Sequence, residues 1–174
     1  KRILKTPVSD QLIRKKFQVT MALRSNYKYE LVAKNFLWIR RELATGYNSL
    51  LLYEVPISQI EKDHNIVNNI IQVRDSVGKK YIHGSLGKTW MTTEKAYSPY
   101  FLQTKINQKL AYEIKGTWQL KNDFMTGPFI NYAIKDPKNN RYLIIDGFTY
   151  NPSKSKRDLV FELEAMIKSV VFLP

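Results

Sequence analysis

Few side chains in this sequence have the type and setting that acid–base catalysis requires. Three carboxylates, Glu54, Asp123 and Asp146, lie in largely apolar or aromatic stretches. Two carboxylates that met in one cleft could act as a general acid and a general base, as in glycoside hydrolysis. Their spacing along the chain does not show that they meet. A carboxylate-based hydrolase is therefore kept as an alternative, and no residue is assigned a catalytic role.

The other chemical motifs do not support a metal or cofactor site. His64 and His83 are far apart, and neither has a second ligand three or four residues away. Ser85 lacks a well-placed base, and the chain has no cysteine. The segment GSLGKT (84–89) resembles the end of a phosphate-binding loop, but Ile82 replaces the first glycine, and the segment is predicted to run from helix to strand. We expect no metal and no cofactor.

The stretch GTWQLKNDFMTGPF (116–129) is more distinctive. Asn122 and Asp123 can bond to nearby backbone groups, so they predict a turn between two strands. Large apolar residues at a turn either fold back on the core or meet a partner, and Phe124 and Met125 are such residues. The stretch is thus either a structural corner or a contact point. The candidate binding residues are Trp118, Asn122, Asp123, Phe124, Met125 and Asn131.

The positive charge of the chain is unevenly distributed. The net charge is +13, and residues 1–41 hold eleven basic residues against two acidic ones. Arg14, Lys15 and Lys16 form a candidate basic patch for an anionic neighbour, and a solvated surface is the alternative. Aromatic residues, 13% of the chain, lie among lysines and could stack on sugars or nucleobases, although aromatics also suit strands. Nucleic-acid binding is only a third hypothesis.

Alternating apolar residues predict an antiparallel sheet that must position these side chains. Strands are predicted at 17–25, 29–34, 36–43, 49–56, 90–97, 100–106, 109–121, 128–136 and 141–151, with a tight hairpin loop at 136–140. Strands with segregated helices are typical of the α+β class.

Three helical segments accompany these strands. A short helix over 9–17 precedes them, and Ser58 with Glu61 suggests a capping box for a helix over 58–77. This helix is predicted to break near Asp63 and to end at Gly78. Ser155 is the predicted cap of the last helix. We expect the two amphipathic helices, those over 58–77 and after 155, on one face of the sheet.

The length suits one domain, and we divide the chain into a basic N-terminal extension with a short helix (1–16) and a single α+β domain (17–174). No apolar run is long enough to span a bilayer. Because the first residue is Lys1 and not Met, we interpret the sequence as a processed or trimmed piece.

Long strings of the sequence together resemble one family. They are NFLWIRREL, NSLLLYEVP, NIIQVRDSVGKKYI, AYSPYF and the segment from YEIKGTWQLK to EAMIKS. Over about 17–171 the chain is similar to the C-terminal half of an uncharacterised domain-of-unknown-function family of Bacteroidota lipoproteins. The resemblance implies a signal peptide, a lipid-modified cysteine and an N-terminal domain upstream of this sequence, and therefore attachment to a membrane of the cell envelope. It implies no activity. The order of elements also resembles the PsbP/Mog1-type α/β/α sandwich, a likeness of topology only.

These observations favour a cell-envelope binding or assembly module over an enzyme. The expected partner is a protein or a surface glycan, with the membrane reached through the upstream lipid anchor. Nucleic acid is an improbable partner for an exported protein.

Overall fold

The computed structural model describes residues 9–152 and 154–174, which form four α-helices and ten strands. The helices are α1 (Gln11–Phe17), α2 (Ile57–Ile60), α3 (Ile66–Tyr81) and α4 (Arg157–Lys168). The strands are β1 (Val19–Thr20), β2 (Lys28–Ala33), β3 (Phe36–Leu43), β4 (Gly46–Pro56), β5 (Trp90–Thr93), β6 (Tyr100–Ile106), β7 (Lys109–Lys121), β8 (Thr126–Asp136), β9 (Arg141–Tyr150) and β10 (Val171–Phe172). The first eight residues of the predicted extension lie outside this described part.

Eight strands form one antiparallel sheet in the order β2-β3-β4-β9-β8-β7-β5, and β6 pairs with the other half of β7. The central strand β9 is buried along almost its whole length, and β4 and β8 are buried over their middle residues. β1 and β10 form a separate two-stranded sheet. The predicted α+β class with an antiparallel sheet is confirmed.

The helices cover opposite faces of the large sheet, which corrects the expectation that both amphipathic helices share one face. On one face, α1 and α4 bury Ile13, Leu163 and Ile167 against the sheet. On the other, α2 and α3 bury Ile60 and Ile70. An apolar stripe tells which side of a helix faces the sheet but not which face of the sheet it meets. The result is a three-layer α/β/α arrangement.

The helix predicted over 58–77 is broken, as expected near Asp63, into α2 and α3. The predicted capping box is wrong, because Ser58 lies inside α2 and Glu61 instead accepts a hydrogen bond from Tyr142. The cap of α3 is Asn65, whose side chain accepts a hydrogen bond from the backbone of Asn68 at 3.4 Å.

Gly78 is not the end of α3, which continues to Tyr81. It is buried against β5, and a Cβ atom at this position would lie 2.3 Å from the backbone oxygen of Met91. The glycine is therefore needed for the close approach of α3 to β5 and not for a helix cap.

Other boundaries differ by a few residues. The strand predicted over 17–25 reduces to the two residues of β1, and the strand predicted over 90–97 ends at Thr93. α4 begins at Arg157 and not directly after Ser155. The 84–89 segment runs from α3 towards β5, as predicted. Among the described residues, no helix is both long enough and apolar enough to cross a bilayer.

Candidate functional site

The stretch around Asn122 is a hairpin turn between β7 and β8, as the sequence predicts. Strand pairing reaches Gln119 and Thr126, and the amide of Leu120 donates to the backbone oxygen of Met125 at 2.9 Å. Asn122 adopts a left-handed conformation with φ 65°, which asparagine tolerates better than most residues. The Asp123 carboxylate accepts the amide of Phe124 at 2.7 Å, so local hydrogen bonds hold the turn in one shape.

The two apolar residues of this turn have different environments. Phe124 has a relative exposure of 101%, so its ring makes essentially no contact that hides it from water. Met125 is half-buried and packs against the core on the α3 side of the sheet. Only Phe124 is therefore free to meet a partner, whereas Met125 fixes the turn to the body of the protein.

Trp118 and Asn131 do not belong to this surface. Trp118 is buried, and its indole N–H donates to the backbone oxygen of Thr149 at 3.0 Å. Asn131 is also buried and donates to the Asp146 carboxylate at 2.7 Å. In the β7–β8 ladder Asn131 pairs with Ile114, far from the turn. The structure places both residues in the core.

This turn contacts the 84–89 loop, a contact that has no signal in the sequence. The side chain of Asn122 donates to the backbone oxygen of Lys88 at 3.1 Å, which joins the turn to the 84–89 loop. The loop packs so closely on β7 that a Cβ atom at Gly84 would lie 2.8 Å from Leu120. At the outer side of the loop, Leu86 has a relative exposure of 58%. Leu86 and Phe124 are both exposed and apolar. Along the chain, each is two residues from a residue that forms this hydrogen bond, Leu86 from Lys88 and Phe124 from Asn122.

A tryptophan flanked by lysines completes this region. Trp90 is half-buried and pairs with Lys121 across β5 and β7. The Lys79 and Lys121 ammonium nitrogens lie 5.1 Å and 5.2 Å from the centre of the Trp90 ring, within cation–π range. We call Lys79, residues 84–90 and residues 121–125 the tip–loop corner. It combines exposed apolar side chains with three lysines, of which the third is Lys88 in the loop.

The predicted basic patch on α1 is partly engaged within the protein. Arg14 forms an ion pair with Asp10 at 3.0 Å, and Lys16 donates to the backbone oxygen of Lys34 at 3.3 Å. Burial opposes ionisation of Asp10, but hydrogen bonds from Thr20 and Arg14 outweigh it and lower the pKa of the carboxyl group. Lys15 is exposed. Two of the three cations thus have intramolecular partners, and the role of the patch stays a prediction.

One pair of carboxylates, the partly exposed Glu54 and the buried Asp136, meets on a guanidinium group. Arg141 is buried and binds Glu54 at 2.7 Å and Asp136 at 3.0 Å, beside a groove of about 420 Å³. Burial acts to raise the pKa of Asp136, but hydrogen bonds from Asn139 and Arg141 outweigh it, so the pKa is lowered. Asp136 is therefore ionised and bound to a cation near neutral pH, which suits a structural anchor better than a general acid.

A second pair of carboxylates meets on a phenol. Tyr132 donates a very short hydrogen bond to Glu113, and its hydroxyl lies 3.4 Å from Glu164. Burial and these carboxylates raise the pKa of Tyr132, so the phenol stays protonated. Glu164 also binds Lys168 at 2.7 Å, and its pKa is lowered because this hydrogen bond and the neighbouring lysines outweigh the effect of burial. Glu164 is therefore ionised near neutral pH and provides no free acid for proton transfer.

Asp146 forms a third cluster, which is sealed inside the protein. The carboxylate is fully buried and binds Arg74 at 2.8 Å, and the guanidinium lies 3.7 Å from the centre of the Phe129 ring. Burial raises the pKa of Asp146. Because Arg74 is 1% exposed, no substrate can reach the pair. The sequence contained a signal for it, since an arginine lies on the apolar face of α3 and an aspartate lies within an apolar strand.

The predicted carboxylates do not meet one another. Asp146 is in the sealed cluster, Glu54 is on Arg141, and Asp123 is in the hairpin turn. Within residues 9–152 and 154–174, no group of three or more His, Cys, Asp or Glu side chains is arranged to hold a metal ion.

No curated protein matches the chain. A family model described as Domain of unknown function (DUF4837) matches residues 6–169, which is nearly the whole sequence. The chain therefore belongs to this domain-of-unknown-function family.

Proposed function

We propose that this protein is a non-enzymatic binding or assembly module and that the tip–loop corner is its contact surface. The observation that carries the proposal is the complete exposure of Phe124 on a turn that local hydrogen bonds hold in place. A single exposed apolar residue is ordinary on protein surfaces. Here, however, the hydrogen bond from Asn122 to Lys88 joins the turn to the loop that exposes Leu86. In the same region, Lys79 and Lys121 lie within cation–π range of Trp90.

The state of the carboxylates supports binding over catalysis. A pair that performs acid–base chemistry needs one group that is protonated and accessible near neutral pH. Glu164 lines an open groove and Asp136 is buried, and both have lowered pKa values and cationic partners. The hydrolase alternative therefore has less support than a binding role.

A location in the cell envelope is part of the same proposal. It rests on the resemblance of the sequence to Bacteroidota lipoproteins, which implies a lipid anchor upstream of residue 1. The partner contacted from this location would be a protein, a glycan or the membrane itself.

Photo-crosslinking tests whether the corner is a contact surface. We would replace Phe124 by a benzophenone-bearing phenylalanine analogue in the full-length protein and irradiate cells that produce it. Benzophenone reacts with C–H bonds, so it captures protein or lipid neighbours alike. The matched control carries the same analogue at Phe161, which has a relative exposure of 70% on α4.

We expect an adduct from position 124 that position 161 does not give. If position 124 gives no adduct while position 161 does, the corner is not the contact surface and the proposal fails. The Phe124→Ser variant should keep its free energy of unfolding within about 0.5 kcal/mol of the unaltered protein, as expected for a surface site.

A second candidate is a glycan contact at the start of β6 and the residues just before it. Tyr97, Tyr100 and Phe101 have relative exposures of 68%, 57% and 39%, and Phe101 stacks on Tyr112 with a centroid distance of 5.6 Å. Aromatic faces of this kind can pack against sugar rings. Weak binding of cell-surface polysaccharide that is lost in a Tyr97→Ser, Tyr100→Ser variant would support this candidate, and binding unchanged by these substitutions would contradict it.

A further inference from the structure

We propose that the tip–loop corner docks on the surface of an anionic lipid bilayer, with Leu86 and Phe124 entering the interface and the lysines contacting headgroup phosphates. This inference rests on the proposed function, because it names the partner of the same contact surface. It goes beyond a lipid anchor, since it concerns the folded domain itself.

The apolar part of the corner has the shape of a membrane contact. Leu86 and Phe124 are exposed apolar side chains on two separate turns, the 84–89 loop and the hairpin between β7 and β8. The Asn122–Lys88 hydrogen bond joins the two turns. A Cβ atom added at Gly87 would meet nothing within 4 Å, so the end of the loop faces open space. Apolar side chains exposed in this way can enter the apolar boundary of a membrane interface.

Trp90 adds a residue type that favours the boundary between water and hydrocarbon. Its ring is half-buried, between the lysines that approach it from α3 and β7. Tryptophan prefers the headgroup level of a membrane because its ring is apolar and its N–H can form hydrogen bonds.

The charge of the corner is complementary to an anionic membrane surface. Lys79, Lys88 and Lys121 form no ion pair with any residue in the described part of the chain. One carboxylate, Asp123, belongs to the corner, and it accepts the amide of Phe124. Lysine side chains can also extend their ammonium groups to the headgroups while their stems lie along apolar surface. A protein partner would need a matching acidic pocket, whereas an anionic bilayer offers both chemistries at once.

Vesicle sedimentation tests the proposal directly. The probe is the protein with vesicles of phosphatidylcholine and phosphatidylglycerol at a ratio of about 70:30, compared with pure phosphatidylcholine vesicles. Each lysine near an anionic surface contributes about a factor of five to partitioning. The triple variant Lys79→Gln, Lys88→Gln, Lys121→Gln should therefore bind about 100-fold more weakly. The double variant Leu86→Ser, Phe124→Ser should lose about tenfold or more.

Matched controls separate the corner from general charge and exposure. Lys28, Lys105 and Lys138 are exposed and change the net charge equally when replaced by glutamine. Phe161→Ser removes an equally large exposed ring elsewhere. Both control variants should keep most of the binding. If the lysine control loses as much as the corner variant, the protein binds through its net charge and the proposal is wrong.

Fluorescence gives an independent readout at the corner. Of the three tryptophans, Trp38 and Trp118 are buried at 9% and 1% exposure, so Trp90 is the one placed to report on lipid. Anionic vesicles with brominated acyl chains should quench the emission, and Trp90→Phe should remove the quenching while sedimentation persists. Sedimentation without quenching would place the contact elsewhere and overturn the proposal.

The outcomes distinguish this inference from the broader function. If anionic vesicles are not bound, but position 124 crosslinks to a specific protein in cells, the corner is a protein contact and the membrane proposal fails alone. If neither contact is found, both fail.

Discussion

Two arginine–carboxylate clusters in this molecule use the same chemical groups in different surroundings. Arg74 on α3 and Asp146 on β9 have side-chain exposures of 1% and 0%, so both are shielded from solvent. Arg141 joins Asp136 and Glu54 at the edge of a groove, where the Glu54 side chain keeps 31% of its exposure. The comparison shows that access to water, and not the identity of the pair, decides whether such a cluster can be rehydrated when one partner is lost.

The largest expected effect comes from breaking the sealed pair. Arg74→Met should lower the free energy of unfolding by about 3–5 kcal/mol, because Asp146 would remain buried without its cation. Chemical denaturation measures this loss. The double variant Arg74→Met, Asp146→Leu serves as the control and should recover much of the stability, since no charge is then left unpaired. A loss below about 1 kcal/mol for the single variant would mean that water reaches Asp146 after all.

A smaller loss is expected when the open cluster is broken. Arg141→Met should cost about 2 kcal/mol, because charged hydrogen bonds are lost but neither carboxylate is left without a partner. Glu54 can be solvated from the groove, and the buried Asp136 keeps Lys109 at 3.9 Å and a hydrogen bond from Asn139 at 2.8 Å. The same denaturation series gives the comparison with Arg74→Met. If the two single variants are equally unstable, the groove does not provide the solvation that distinguishes the clusters.

The cluster of Arg141, Asp136 and Glu54 should also make the free energy of unfolding sensitive to acid. The native pKa of Asp136 is lowered, so its contribution to stability is complete above the ordinary pKa of an aspartate. This contribution is lost as the pH falls through the lowered native value. The effect is smaller than that of removing Arg141, because protonation removes only the preference for the ionised carboxyl group. Unfolding free energies measured between about pH 6 and pH 2 should therefore fall less steeply in Arg141→Met, and equal slopes would contradict this assignment.

The smallest change in the free energy of unfolding is expected when an exposed ion pair is broken. Arg14 and Asp10 on α1 lie 3.0 Å apart, but the arginine side chain is 50% exposed. Arg14→Gln should change the free energy of unfolding by no more than about 0.5 kcal/mol, since water replaces most of the interaction. A loss of more than about 1 kcal/mol would indicate that the hydrogen bond from Arg14 to Thr20 has a larger structural role than its exposure suggests.

The sequence predicted the strands better than the arrangement of the layers. The pattern of strand-forming residues between turn residues gave the bounds of β3 and β7 to the residue. It could not place α3 and α4 on opposite faces, since their apolar stripes are alike in kind. Glycine can end a helix or permit a close approach of two elements, and the sequence alone predicted the first use for Gly78. The position of the Met91 backbone oxygen shows that the second applies.

Only the turn of the candidate site follows from local residue types, and the structure contains it at Asn122. The sequence left open whether Phe124 folds back on the core, and the structure shows its ring exposed. The contact with Lys88 joins segments 34 residues apart and has no local signal. The pairing of Arg74 with Asp146 spans 72 residues, and although each residue is unusual in its own segment, nothing in the sequence links the two.

The close packing permitted by Gly78 also bears on how the protein avoids self-association. β5 has only four residues and pairs with β7 on one side, so its other side would be an unpaired strand edge. The end of α3 lies against that side, where the amide of Met91 donates to the backbone oxygen of Ile82 at 2.9 Å. An uncovered edge is a template for pairing with another chain. Gly78 thus keeps a helix close enough to block this route, and a larger residue there would open a path to aggregation as well as reduce stability.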